Sequence, residues 1–445
     1  MKRLKTFSIG GIELEEKKYT ADKPIKTASI PERVILPLSQ SFGTPSVPIV
    51  KRGDHVKTGQ LIAKGEDFIS SNLHASVTGV VEKMDEWVDS SGYNKKAIII
   101  KSEPDEWDEN IIQPHSVITD ISLSKKEIIE RIKDKGIVGM GGAGFPTHVK
   151  LTLPPNKVAE YLIINGVECE PFLTSDHRLM LEKGDEILIG TQILMKALDV
   201  QKAIIGIEAN KPDAIEHLEK LSANYKGIVI QPLKIKYPQG AEKQLIKALI
   251  NREVPSGKLP IEVGCIVQNV GSAFAVYEAV QLNKPLIERI ITISGEQFPN
   301  GGNFLVRIGT TIQTLINECG GLSDVAAKII NGGPMMGKAL VSADVPITKG
   351  TSGILVLSDA ESHRVPVYNC IRCGKCIAVC CMGLEPVLLE KTVENENWEM
   401  AERELIRNCI ECGSCQYTCP AGRPLLDMIR LGKYVINQKN KQKGN

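Results

Sequence analysis

The chain has 445 residues, too many for one hydrophobic core, so several domains are expected. Hydrophobic residues make up 42%, charged residues 24% and aromatics 4%, with a net charge of +1. That balance fits a soluble globular protein and excludes bulk electrostatic or base-stacking recognition of nucleic acid. The longest apolar runs, such as Ala97–Ile100 and Tyr161–Ile164, fall far short of the roughly 18–20 residues of a membrane span. Met1–Gly10 has no apolar core of a signal peptide, so a cytosolic chain, at most peripheral to a membrane, is expected.

Residues 1–110 read as β-rich, because Pro24, Pro31, Pro37, Pro45 and Pro48 break helices and short apolar runs alternate with glycine turns. Gly53–Ile62 and His74–Val81 have matching patterns, and the acidic run Glu103–Asn110 reads as a linker. Residues 120–285 alternate strand and helix periods. Strands are expected at Tyr161–Asn165, Ala203–Glu208, Gly227–Gln231 and Gly264–Asn269. Helices are expected at His177–Leu198, Pro212–Ala223, Gly240–Asn251 and Ser272–Leu282. This predicts a multidomain α/β protein whose central unit is a parallel sheet, with ligands at the carboxyl ends of its strands. Residues 288–358 predict a small α+β domain around one helix, Thr311–Cys319. Residues 365–440 predict helical segments punctuated by cysteines, followed by a disordered polar tail, Gln438–Asn445.

Twelve cysteines are present, and two groups repeat one spacing: Cys370, Cys373, Cys376 and Cys380, then Cys409, Cys412, Cys415 and Cys419 followed by Pro420. Three cysteines at C-x-x-C-x-x-C wrap one face of a [4Fe–4S] cubane, and the fourth reaches the other cluster. One cluster is therefore assigned to Cys370, Cys373, Cys376 and Cys419, and the second to Cys409, Cys412, Cys415 and Cys380. Zinc sites use two separated C-x-x-C pairs, which this spacing does not match. Cys381 stands where the second group has Pro420 and competes with Cys380 as a ligand. Cys169, Cys265 and Cys319 read as buried thiols. Crossed ligands hold the two clusters close, as a wire for single electrons.

Gly139-Met140-Gly141-Gly142-Ala143-Gly144-Phe145 contains a formal G-x-G-x-x-G, but it follows a predicted helix, Lys125–Lys135, not a strand. A conventional Rossmann site is therefore not expected. Its small residues still expose backbone N–H groups that can cradle phosphate, with charge added by Lys150; a structural turn packed on the sheet is the alternative. Asn165-Gly166-Val167-Glu168-Cys169-Glu170-Pro171 follows a buried-looking strand and offers two carboxylates to hydroxyls or an amide, or else is a solvated loop.

On Gly139–Lys150, Asn165–Pro171 with Asp176-His177-Arg178, Tyr237–Glu242, Val267–Ser272 and both cysteine groups, the chain resembles the C subunit of the Rnf complex, a membrane-bound ferredoxin:NAD oxidoreductase. Its centre is also similar to the flavin-binding subunit of respiratory complex I. The resemblance implies a β-rich barrel-sandwich hybrid domain at 1–115 and a Rossmann-like α/β FMN/NADH-binding domain at 120–285. It further implies a soluble-ligand-binding β-grasp domain at 288–358 and a ferredoxin-like two-[4Fe–4S] domain at 365–440. It implies that Gly139, Gly141, Gly142, Gly144 and Lys150 hold FMN, that Asn165, Glu168, Gly240 and Asn269 line it, and that Phe145, Glu170 and Glu242 face NAD(H). Ala241, Val167, Gln268 and Gly271 depart from the complex I pattern. The hairpin at Glu66-Asp67-Phe68 lacks the modifiable lysine of biotinyl or lipoyl domains.

The implied activity is that of an NAD-dependent oxidoreductase working through flavin and iron–sulfur clusters, with flavin chemistry and no catalytic side chain. The implied partners are the other subunits of a membrane complex and, indirectly, ferredoxin, with the chain peripheral on the cytoplasmic side. A flavin/iron–sulfur cobalamin reductase has similar architecture, but Asp176-His177-Arg178 and Gly10-Gly11 with Lys23-Pro24-Ile25 favour the Rnf family. A flavin-free electron-transfer adaptor is the reading from a different class.

Overall fold

In the computed structural model, which describes residues 3–296, 298 and 300–443, two small antiparallel sheets come first. One holds Arg33–Pro37, Asn94–Ser102, Gly79–Val88 and His55–Val56 in that spatial order; the other holds Val47–Pro48, Leu61–Lys64 and Leu73–His74. Side chains alternate across the strands. Val34, Leu36, Ile98 and Ile100 therefore enter the main core, while Ile35, Ala97 and Ile99 pack on the opposite face beside Trp87. The matched segments do pair, His55 with Val80 and Leu61 with His74.

The acidic run expected as a linker is pinned instead. The Glu106 carbonyl accepts from Thr58 N at 3.0 Å and Thr78 Oγ1 at 2.7 Å, and Asp105 pairs with Arg307 at 2.6 Å. The Arg307 guanidinium also lies over the Trp107 ring. Charge that reads as solvated in the sequence is neutralised by a cation some 200 residues away, at |i−j| = 202.

The central sheet is four-stranded and parallel, in the order Ile228–Leu233, Ala203–Glu208, Tyr161–Asn165 and Cys265–Asn269. Leu162, Ile164 and Ile205 face the helices Gly184–Leu198 and Val270–Gln281. Ile163 and Val267 face Leu245, Ile246 and Leu249 of the helix Glu242–Ile250. The predicted helix His177–Leu198 is two helices, Ser175–Glu182 and Gly184–Leu198, broken at Lys183 (φ −133°, ψ 36°). A Cβ on Gly184 would stand 2.7 Å from Leu221, so the second helix begins at a residue whose lack of a side chain allows the close approach.

The third unit is a six-stranded sheet in the order Ile25–Thr27, Gly302–Arg307, Glu288–Ser294, Gly353–Ser358, Ala326–Asn331 and Lys338–Ala339, with the helix Ile312–Glu318 capped by Thr311. Its edge strand Ile25–Thr27 is donated by the N-terminal segment. Short helices and the long helix Leu425–Lys443 form the fourth unit around Leu384, Leu389, Val393, Ile406, Ile429 and Ile436. The tail expected to be disordered is helical as far as the described residues reach. A helix anchored by buried Ile429 and Ile436 extends at low cost, and Lys439 lies over the Trp398 ring while Asn440 bonds Glu402. The last two residues of that expected tail, 444–445, lie outside the described residues.

Candidate functional site

The glycine loop leaves the helix Lys125–Asp134 and enters the helix Thr147–Leu151, so no strand precedes it. Gly139 N donates to Phe145 O at 2.8 Å, closing the loop, and Met140 N donates to Ser272 Oγ at 2.8 Å, fastening it to the helix after the last parallel strand. Gly141 has φ +75°, and a Cβ there would lie 3.1 Å from Asn269 Nδ2. A Cβ on Gly142 would meet nothing within 4 Å, so the loop's crest, residues 141–143, faces open space. Gly144 O accepts from Phe42 N at 3.0 Å, and the Phe42 and Phe145 rings lie 5.7 Å apart, so the barrel-sandwich unit supports one wall of the loop.

The predicted residues at the strand ends form one connected set. Asn269 Nδ2 donates to Asp176 Oδ2 at 2.7 Å and to Asn165 O at 3.3 Å; Asn165 Nδ2 donates to Gly240 O at 2.8 Å. Lys150 Nζ donates to Val267 O at 3.1 Å and pairs with Glu242 at 3.2 Å. Gly139, Gly141, Gly142, Gly144, Phe145, Lys150, Asn165, Gly240, Glu242 and Asn269 thus gather around the carboxyl ends of the sheet, as parallel topology dictates.

The two glutamates are turned to other tasks. Glu168 adopts φ +47°, and its carboxylate accepts from Asp176 N at 2.7 Å, His177 N at 3.2 Å and Ser175 Oγ at 3.3 Å, capping the helix Ser175–Glu182. Glu170 accepts from Met335 N at 3.0 Å and Met336 N at 2.9 Å, docking a loop of the six-stranded unit. Burial pushes the Glu170 carboxyl up to about 7, and burial with the nearby Glu168 charge pushes Asp176 up to about 6.

One functional residue escaped sequence reasoning. Lys18 is half-buried with its ammonium turned inward, donating to the carbonyls of Glu168 (2.9 Å), Glu170 (2.9 Å) and Leu173 (2.6 Å). Desolvation of that ammonium and the neighbouring Lys211 lower it to about 8. Its partners lie 150 to 155 residues away, so no local pattern announces it.

Cys370, Cys373, Cys376 and Cys419 line one cavity of about 530 Å³, the set assigned to the first cluster. Burial, with the charges of nearby Cys409, Cys412 and Cys380, raises the Cys415 thiol. The fourth cysteine of each group thus lies near the other group, although no three of the described side chains stand close enough together to hold a metal ion. The two loops repeat in detail. Arg372 (φ +55°) and Glu411 (φ +58°) turn their N–H groups onto Cys370 and Cys409 Sγ, each at 3.4 Å. Gly374 and Gly413, both left-handed, start the short helices after them. N–H groups aimed at sulfur suit thiolates that ligate a cluster. Cys381 is buried with its thiol close to Cys412, so it sits beside the second set.

Comparison with known proteins adds names to these units. Residues 5–105 match the RnfC barrel sandwich hybrid domain, residues 132–278 the Nuo51 FMN-binding domain and residues 290–339 the SLBB domain. The chain is 47% identical to the C subunit of the proton-translocating ferredoxin:NAD(+) oxidoreductase complex of Clostridium ljungdahlii, covering 90% of this chain and 87% of that one. It is 42% identical to the C subunit of the Na(+)-translocating ferredoxin:NAD(+) oxidoreductase complex of Acetobacterium woodii, over 99% of each. To the C subunit of the ion-translocating oxidoreductase complex of Rhodobacter capsulatus it is 39% identical, over 99% of this chain and 85% of that one.

Proposed function

The chain belongs to the family of C subunits of ion-translocating ferredoxin:NAD oxidoreductase complexes, and from that premise we propose that it is the NAD(H)-reacting subunit of such a complex, binding FMN in its α/β domain and two [4Fe–4S] clusters in its C-terminal domain. Flavin exchanges a hydride with nicotinamide and single electrons with iron–sulfur clusters, which is the chemistry this pairing supplies. The chain's own residues bind, orient and connect. Backbone N–H groups of Gly141–Gly144 would cradle the FMN phosphate, and Lys150 would add charge once it releases Glu242. Asn165, Gly240 and Asn269 line the flavin, with Phe145 and Glu242 toward the nucleotide. Glu168 and Glu170 act by holding the loop's shape, since their carboxylates already accept backbone N–H bonds.

The observation that carries the reading is the junction between the two units. Tyr237, at the end of the flavin-side loop, donates its hydroxyl to Cys412 O at 2.8 Å, and Gln244 Nε2 donates to Cys381 O at 3.2 Å. A sulfur set thus stands one side chain away from the strand-end site, as a one-electron wire requires. No helix among the described residues is long and apolar enough to cross a membrane. In this reading the chain sits at the cytoplasmic face of the membrane complex, held by other subunits and receiving ferredoxin's electrons through them.

Anaerobic isolation tests this. The expected preparation contains flavin, iron near eight per chain and NADH-dependent reduction of an artificial acceptor. Absence of both flavin and that activity would leave the flavin-free adaptor as the better reading, and zinc in place of iron would overturn the cluster assignment.

A further inference from the structure

Ahead of the barrel-sandwich strands, the chain runs as a strap over the α/β and cysteine units. Lys5 pairs with Leu233 at the edge of the parallel sheet, and its ammonium donates to Leu249 O at 2.7 Å. Phe7 is buried under Lys236, whose ammonium lies 4.1 Å from the ring centroid. Gly10 and Gly11 then turn onto the loop that carries Cys380. Gly11 N donates to Val379 O at 2.9 Å. Gly10 has φ +62°, and a Cβ there would lie 2.5 Å from Cys380 C and 2.6 Å from Val379 O. Ile12 exchanges backbone bonds with Tyr237, 2.9 and 2.8 Å, the residue whose hydroxyl reaches Cys412 O. Lys18 finally grips the loop of Glu168 and Glu170.

The strap therefore touches the backbone of one ligand of the second sulfur set, the neighbour of another, and the acidic loop of the flavin site, all within fourteen residues, Lys5 to Lys18. Among the described residues, hydrogen bonds between the α/β and cysteine units include Tyr237–Cys412, Gln244–Cys381 and Ser256–Asn408, and the strap adds a further set beside them. We infer that residues Lys5–Lys18 are a positioning strap for electron transfer, fixing the separation between the flavin-side loops and the cluster held by Cys380, Cys409, Cys412 and Cys415. This rests on the function proposed above. The strap contributes no group to the chemistry; it acts on the gap that electrons cross.

The test compares the anaerobically purified holo chain with Gly10→Ala, whose Cβ clashes with the Val379–Cys380 backbone so that strap or loop must move, and Phe7→Ala, which loosens the strap without touching the cysteine loop. Three quantities are measured. Hydrogen exchange over residues 376–384 and 234–240 should rise in both variants, and this readout needs no activity. NADH-dependent reduction of ferricyanide, which draws on the flavin, should be unchanged. The rate at which NADH bleaches the cluster absorbance should fall in both variants, and further in Gly10→Ala, because electron transfer slows as the gap between centres widens. Faster exchange with an unchanged bleaching rate in both variants makes the strap a structural element only and overturns the inference; so does unchanged exchange. If Gly10→Ala fails to assemble its clusters, Phe7→Ala decides by the same three readouts. A wild-type chain inactive with NADH would instead fail the proposed function, while the exchange data would still report whether the strap holds the cysteine loop.

Discussion

Replacing Lys349 with methionine removes a buried amine at the point where three units meet. Lys349 belongs to the six-stranded unit, and its Nζ lies 2.7 Å from Asn72 O, 3.1 Å from Ser71 Oγ and 2.7 Å from Gly136 O, just before the glycine loop. It is 1% exposed, and burial lowers it from 10.5 to about 7. His74, also buried, and Lys135 are the charged or titratable groups bearing on this site, and His74 is held well below its usual value. The unfolded lysine keeps its proton up to 10.5, whereas the folded amine releases it near 7, so the unfolded state binds more protons between those limits. Stability from this residue therefore rises with pH, by on the order of 2 kcal/mol between about pH 7 and about pH 9. Methionine lacks that dependence and leaves the Asn72 and Gly136 carbonyls short of a donor, at about 1–3 kcal/mol for each that stays dry. Equilibrium urea unfolding of wild type and Lys349→Met across this range, taken as a difference, cancels most other titrations. The gap should widen as pH rises; a gap that narrows would mean a stabilised ammonium and refute the reasoning.

Glu168→Ala uncaps the helix Ser175–Glu182 and should cost about 1–3 kcal/mol, read by denaturation, along with reduced flavin retention; unchanged occupancy would remove Glu168 from the site's support. Cys419→Ala and Cys380→Ala should each lower iron from near eight to near four per chain. The crossing predicts that Cys419→Ala spares the cluster of Cys409, Cys412 and Cys415, which electron paramagnetic resonance can distinguish. Glu170, raised to about 7, holds more protons folded than unfolded between its ordinary 4.5 and 7, so its contribution to stability falls as pH rises through that window. Glu170→Gln should flatten this slope in paired unfolding curves.

The parallel sheet was legible because its strands are continuous apolar runs bounded by turns: Tyr161–Asn165 and Ala203–Glu208 stand where the pattern puts them. The two cysteine loops were legible because a repeat of spacing is a repeat of geometry: each turns an N–H onto its first sulfur and starts a short helix at a left-handed glycine. What escaped the sequence acts across distance. Nothing local tells that Glu168 caps a helix, that Glu170 docks Met335 and Met336, or that Asp105 meets Arg307. The break at Lys183 goes with Leu221 crowding Gly184, a tertiary contact hidden within a strongly helical pattern. Lys18 carries no local signal, yet its ammonium is held by three carbonyls.

The central claim is that one chain joins a hydride-accepting site to a two-cluster wire. Anaerobic addition of NADH to the purified chain, followed by electron paramagnetic resonance, tests it most directly. The account predicts signals from reduced [4Fe–4S] clusters that depend on bound flavin and disappear in flavin-depleted Lys150→Ala protein. Clusters that stay oxidised in a flavin-loaded chain under NADH, yet accept electrons from dithionite, would contradict it.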